Sequence, residues 1–138
     1  MKAKEYLNQI RIIDRLIEHK QIEILKLRSK LAPKGITYES DKVKTSIVGN
    51  PTAEIICTIV DYENEIKADT ERLINLKKEI TSIVDSLNDA DMIDVLYQRY
   101  YQYKNWVDIA TNMNMSLKNI YRLHGKALSN FEKKLPLN

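Results

Sequence analysis

The sequence predicts an all-α protein: a long antiparallel helical hairpin, coiled-coil-like, followed by a C-terminal three-helix module of helix-turn-helix type. Three observations predict it. Apolar residues recur at alternating gaps of three and four over two long stretches, 6–31 and 59–87, as in the seam between helices packed side by side. Only three Gly and three Pro interrupt 138 residues, of which 30% are charged and 43% hydrophobic, the balance of helices with much solvated surface. After Leu87 the pattern breaks into brief amphipathic segments preceded by Asn, Asp or Ser, the residues that cap helix N-termini.

In the first stretch the seam is Tyr6, Ile10, Ile13, Ile17, Ile24, Leu27 and Leu31. Lys20 occupies one expected seam position, where its aliphatic stem can lie along the seam while the ammonium reaches water. Leu7, Ile12, Leu16, Ile22 and Leu25 widen the apolar stripe, so this helix is expected to have more than one packing neighbour. The pattern then stops, and Pro33, Gly35, Gly49 and Pro51 bracket a polar segment at about 33–52. Unstructured connections of about twenty residues are uncommon in compact domains, and a mobile arm is expected here ahead of a binding loop.

Thr52, followed by Glu54 and Ile55, marks the start of the second helix. Its seam runs Ile59, Tyr62, Ile66, Asp69, Leu73, Leu76, Ile80, Ile83 and Leu87. A carboxylate at the Asp69 position is costly in a closed core, though near a rim it helps to fix register. Two helices of about thirty residues are roughly 45 Å long, and the connection folds them back on each other. A hairpin buries one seam only, so the rest of the stripe invites a second copy of the chain, a third helix or an outside partner. The expected domains are 1–87, the hairpin, and 88–138, the C-terminal module.

In that module Asn88 or Asp89 caps a helix carrying Met92, Ile93, Val95, Leu96 and Tyr100, which ends near 102–104. Asn105 starts a short helix with Trp106, Ile109 and Ala110 on one face, and the small Ala110 suits a tight approach of two helices. Residues 112–115 supply the turn. Ser116 caps the third helix, whose inner face is Leu117 or Ile120, then Leu123, Ala127, Leu128 and Phe131. Gly125 inside this helix costs about 1 kcal/mol relative to Ala and marks a bend or a close contact. Tyr97, Tyr100, Tyr101 and Tyr103 are expected in partly buried helix packing, and His124 at the surface or in a cap.

The net charge of +3 excludes a wholly basic nucleic-acid coat, so phosphate contact requires local clustering. Clustering is present: from Ser116 onward stand Lys118, Arg122, Lys126, Lys133 and Lys134 against a single acid, Glu132. Cys57 is the single cysteine, so an intrachain disulfide is impossible and a reducing, cytoplasmic setting is the simpler expectation, with Cys57 as a small buried hydrophobe. Residues 1–5 lead straight into a charged helical pattern with no apolar run for a signal peptide or a membrane span. His19 and His124 have no Cys or His at metal-ligand spacing, and no Gly-rich phosphate loop, G-x-S-x-G or paired Cys is present. No catalytic, metal or cofactor site is expected, and the chain is not expected to be an enzyme.

The segments Leu96–Tyr100, Trp106–Ala110 and Ser116–Leu128 carry a resemblance. With Ile109-Ala110, Ser116, Ile120 and Ala127-Leu128 at their observed spacing, the last fifty or so residues resemble region 4 of the sigma-70 family of RNA polymerase sigma factors, in particular small phage-encoded regulators with such a C-terminus. The whole arrangement looks like phage late-operon regulators of the ArpU-like group. The resemblance implies that the second helix of the motif, about 116–131, enters the major groove of double-stranded DNA. Ser116, Leu117, Lys118, Asn119, Tyr121, Arg122 and Lys126 are then the DNA-binding candidates. Arg122 can bond guanine O6 and N7, Asn119 can pair with adenine, and Lys118 and Lys126 can neutralise phosphates. Ser116 caps the helix, whose first amides also favour phosphate. Leu117 and Tyr121 depart from the family, where polar or basic side chains are common, so base preference does not transfer.

The expected function is therefore a sequence-specific transcriptional regulator of phage or prophage origin, with RNA polymerase and a homodimer through the hairpin as further partners. The alternative is a helical interaction or assembly protein, including a phage DNA-packaging recognition subunit, with no promoter-specific role.

Overall fold

The computed structural model describes residues 2–31 and 51–136, and every regular element among them is helical. Helices α1 (Ala3–Leu31) and α2 (Pro51–Asp85) are long. Helix α3 (Ala90–Leu96) runs into a π-helical turn (Tyr97–Tyr101), and α4 (Trp106–Asn112) and α5 (Leu117–Lys133) follow. The class is all-α, as the periodicity and caps predict. The expected connection lies outside the described residues, apart from Pro51 and Thr52, which already form the first turn of α2. Among the described residues no helix is long and apolar enough to cross a membrane.

Packing divides the chain into two compact units, Arg15–Arg72 and Met1–Asp14 with Leu73–Asn138. This grouping differs from the division at residue 87 read along the sequence. The first turns of α1 reach the C-terminal helices: Tyr6 and Phe131 have ring centroids 6.2 Å apart, and the Ala3 amide donates to Glu132 Oε1 at 3.2 Å.

In the unit Arg15–Arg72, Ile24, Ile59 and Asp69 are buried, and the other seam residues read from the sequence are half-buried. Lys20 does not simply extend to water. Its ammonium donates to Asp69 Oδ2 at 2.7 Å and lies 3.1 Å from Glu65 Oε1, so the two polar residues that interrupt the seams meet each other. Arg28 pairs with Glu63 at 2.7 Å, and the order of these pairs makes the two helices antiparallel here. The extra apolar residues Leu16, Ile22 and Leu25 stay exposed, as do Ile56 and Val60, because a single partner helix covers only one stripe. Cys57 is exposed, contrary to its expected burial: it stands two residues before Ile59, about 200° around the helix from that seam residue.

In the other unit the core is built by Leu7, Ile10, Ile80, Val95, Leu96, Ile109, Ile120 and Phe131, all fully enclosed. Of the residues that widen the α1 stripe, Leu7 is fully enclosed here, whereas Ile12 remains exposed. Three side chains start three helices as expected. Asp89 Oδ1 accepts from the Met92 amide at 3.0 Å, Asn105 Oδ1 from Asp108 at 2.8 Å, and Ser116 Oγ from Asn119 at 3.1 Å. The π-helical turn is closed by the Gln102 amide on the Tyr97 carbonyl at 3.1 Å. Tyr103 then takes a left-handed backbone conformation, φ 58°, which is costly for an aromatic residue. Its hydroxyl donates to Asp14 and the Arg11 guanidinium lies 5.5 Å from its ring centroid, contacts that hold the turn in place.

Gly125 makes no close contact: a Cβ built there meets nothing within 4 Å. Gly125→Ala is therefore expected to stabilise the protein by up to about 1 kcal/mol, read as a raised urea midpoint. Lys20→Met is expected to cost about 2 kcal/mol, since it leaves the buried Asp69 carboxylate with only Arg72, 3.8 Å away. Lys20→Met combined with Asp69→Leu should recover most of that loss, and an additive loss in the double variant would show that the pair does not act as a unit.

Candidate nucleic-acid interface

Helix α5 owes its start to Ser116, whose extended backbone (ψ 158°) and hydroxyl cap satisfy an amide that the first helical turn leaves free. From there two faces separate by helical spacing. Ile120, His124, Ala127 and Phe131 form one stripe at i, i+4, i+7 and i+11, and all are buried. Lys118, Arg122, Lys126 and Lys133 lie on the opposite side and are exposed, the first three at successive steps of four. Among the described residues none of these four cations is held in an ion pair. The one acid of α5, Glu132, is engaged by the Ala3 amide.

The structure therefore brings six of the seven expected contact residues onto the exposed surface of α5: Leu117, Lys118, Asn119, Tyr121, Arg122 and Lys126. Ser116 acts as the cap. Tyr121 is half committed, with one side open and its ring edge-on to Trp106, centroids 5.4 Å apart. Met115 and Leu123 join Asn119, Arg122 and Lys126 in lining a shallow groove of about 260 Å³ beside the helix. Sequence reasoning passed over Met115 and used Leu123 only as core.

His124 corrects an expectation. It is not at the surface but buried, only 8% exposed, and its Nε2 shares a 2.7 Å hydrogen bond with the Tyr100 hydroxyl. The Trp106 ring meets the imidazole edge-on at 4.6 Å between centroids, and the Arg99 guanidinium lies 4.3 Å from the Trp106 centroid while donating to the Lys104 carbonyl. Burial pushes the imidazole down to about 4, with the positive charges of Lys4 and Arg99 adding to the effect. Burial likewise pushes the Tyr100 hydroxyl up to about 12, with Arg99 opposing it. Both partners are neutral at pH 7, as a bond inside a core requires. Tyr101 is half-buried against Thr81, Tyr103 is half-buried, and Tyr97 is exposed, its ring tilted on Tyr101 at 5.1 Å between centroids.

Among the described residues no group of three His, Cys, Asp or Glu side chains is placed to hold a metal ion. Residues 36–132 match a family described as "Protein of unknown function (DUF1492)". The chain belongs to that family. The match spans α2 through nearly all of α5, so the capped helices and the basic stripe lie within it. No curated protein and no solved structure matches the chain.

Because the His124 imidazole is held below its ordinary value of 6.5, the unfolded chain binds a proton that the folded chain refuses as pH falls from about 6.5 toward about 4. The stability this neutral imidazole contributes is complete above 6.5 and declines through that window. Thermal midpoints at pH 7 and pH 5 should fall further for the wild type than for His124→Leu. Equal falls would assign the acid sensitivity to other groups.

Proposed function

We propose that this protein is a sequence-specific DNA-binding transcriptional regulator, with α4 and α5 as a helix-turn-helix and α5 as the helix that enters the major groove. The observation that carries this reading is the row of exposed cations on α5, Lys118, Arg122, Lys126 and Lys133, free of carboxylate partners and directly opposite the buried stripe. Helix α5 sets four cations against a single acid, and its cap, length and spacing suit groove entry. The likeness of residues 96–128 to sigma-70 region 4 and to phage-encoded regulators supports the same assignment. In this reading Arg122 and Asn119 read base edges, while Lys118 and Lys126 hold phosphates. RNA polymerase, or a second copy of the chain docked through the long helices, completes the assembly on a promoter.

A second reading, a helical interaction or assembly protein, is favoured by one observation. Ile22 and Leu25 of α1 and Ile56 and Val60 of α2 expose apolar surface that a single-copy regulator does not use.

Selection from random duplex DNA, with a salt titration of the bound fraction, separates the two. A regulator yields an enriched motif. Arg122→Ala is then expected to cost about 1 to 3 kcal/mol on that motif and to relax specificity at one position. Lys118→Ala should weaken binding to all sequences and lower the salt slope by about one unit. Unchanged affinity in the Arg122→Ala, Lys118→Ala double variant removes α5 from the role of recognition helix, and no enrichment above a salt-sensitive background favours the assembly protein.

A further inference from the structure

Neutralising phosphates needs cations and no carbon surface, yet the groove beside α5 has both. Asn119, Arg122, Leu123 and Lys126 contribute to it from one strip of the helix, at i, i+3, i+4 and i+7, and most of the surface they turn to it is carbon. Met115 closes its end from the turn before the cap, where its amide donates to the Ala110 carbonyl at 3.0 Å and so is held before any ligand arrives. At about 260 Å³ and open to solvent, the groove falls short of the roughly 300 to 1,000 Å³ pockets that enclose small molecules. It suits a projecting apolar group on a larger ligand lying across it. The charge on its rim says which ligand: Arg122 and Lys126 have no carboxylate partner and stand one turn apart, matched to a polyanion.

Of the four bases, thymine alone presents a methyl group in the major groove. We infer that Met115 and Leu123 form a seat for the C5-methyl group of a thymine, with Asn119, Arg122 and Lys126 holding the neighbouring base edge and phosphates. This inference rests on the DNA-binding reading and adds to it: one position of the site is read through carbon and not through a hydrogen bond. The residues that carry it are ones for which the basic stripe has no use. Leu123 in particular is only half-buried, which leaves part of its side chain outside the core.

The test replaces each thymine of the selected duplex in turn by deoxyuridine, which removes the methyl group and leaves the hydrogen-bonding edge intact. At one position the wild-type protein should lose about fourfold in affinity, the equivalent of one buried methyl group at about 0.8 kcal/mol. Met115→Ala and Leu123→Ala should each bind the thymine duplex about as weakly as the wild type binds the deoxyuridine one, and should no longer distinguish the two. Leu123→Ala touches the core side of α5, so its melting curve is recorded, while Met115→Ala lies outside the helix and serves as the second variant.

Selective binding that is indifferent to every such replacement overturns the methyl seat and leaves the DNA reading intact. A deoxyuridine effect that persists undiminished in both variants overturns it as well, since the methyl group is then read elsewhere. Wild-type DNA affinity in both variants, with no deoxyuridine effect, gives the groove to the competing occupant, an acidic peptide helix with an aliphatic face. Absence of any sequence selectivity overturns both inferences together.

Discussion

The direction in which α5 faces depends on one polar contact inside the core, the hydrogen bond between Tyr100 and His124. Apolar burial of Ile120, Ala127 and Phe131 selects a side of the helix but is non-directional, and a core of that kind tolerates some rotation. A hydrogen bond does not, since it weakens steeply as its angle opens. Turning α5 by one residue, about 100°, would leave a tyrosine hydroxyl and an imidazole unpaired away from water at about 1 to 3 kcal/mol each. The same contact reaches α4, because Trp106 sits edge-on against His124 and carries Arg99 on its other contact. The cations at 118, 122 and 126 are aimed by a residue on the opposite side of the helix from them.

The unit Arg15–Arg72 uses the same device with charge in place of a neutral pair. Its seam contains few large side chains at full burial, and Leu, Ile and Tyr at seam positions can be interchanged by a slip of one heptad at modest cost. Lys20 and Asp69 remove that freedom: a slip of α1 against α2 by seven residues would put the Asp69 carboxylate in the seam without its cation. Glu65 and Arg72 extend the pair to four groups of alternating sign. The contact adds little net stability over an apolar pair of the same shape, and its effect falls on register.

What could be read from the sequence was whatever is local. Helical seams follow from spacing, and caps act within three residues of themselves, so Asn105 and Ser116 were found at their own positions and Asp89 as one of two adjacent candidates. The pairings escaped because they join distant segments. Lys20 and Asp69 are 49 residues apart, and both were seen as seam interruptions without being seen as partners. His124 stands at i+4 from Ile120 and seven residues before Phe131, which is stripe spacing, but its partner lies 24 residues upstream and residue type weighed more than spacing. Cys57 shows the same error in reverse: its type suggested burial and its place on the helix forbade it. The exposed candidates of α5 were legible by counting from Ser116, whereas the groove was not, since Met115 is placed by a turn whose backbone bond to Ala110 no side-chain pattern encodes.

The number of cations also bears on how such a chain would act. Binding to duplex DNA depends on salt roughly as 0.9 times the number of phosphates neutralised, and proteins making about six to ten contacts owe much of their affinity to that effect. Lys118, Arg122, Lys126 and Lys133 supply at most four from α5, so electrostatics would hold a single copy on DNA only weakly. Weak non-specific attachment favours discrimination, because the many competing sites of a genome take up little of the protein. It also means that base contacts and a second anchoring point must provide the rest. Under the proposed function, the apolar side chains left open on α1 and α2 would be the surface through which a second recognition helix, or a polymerase already on the promoter, adds the affinity that one helix lacks.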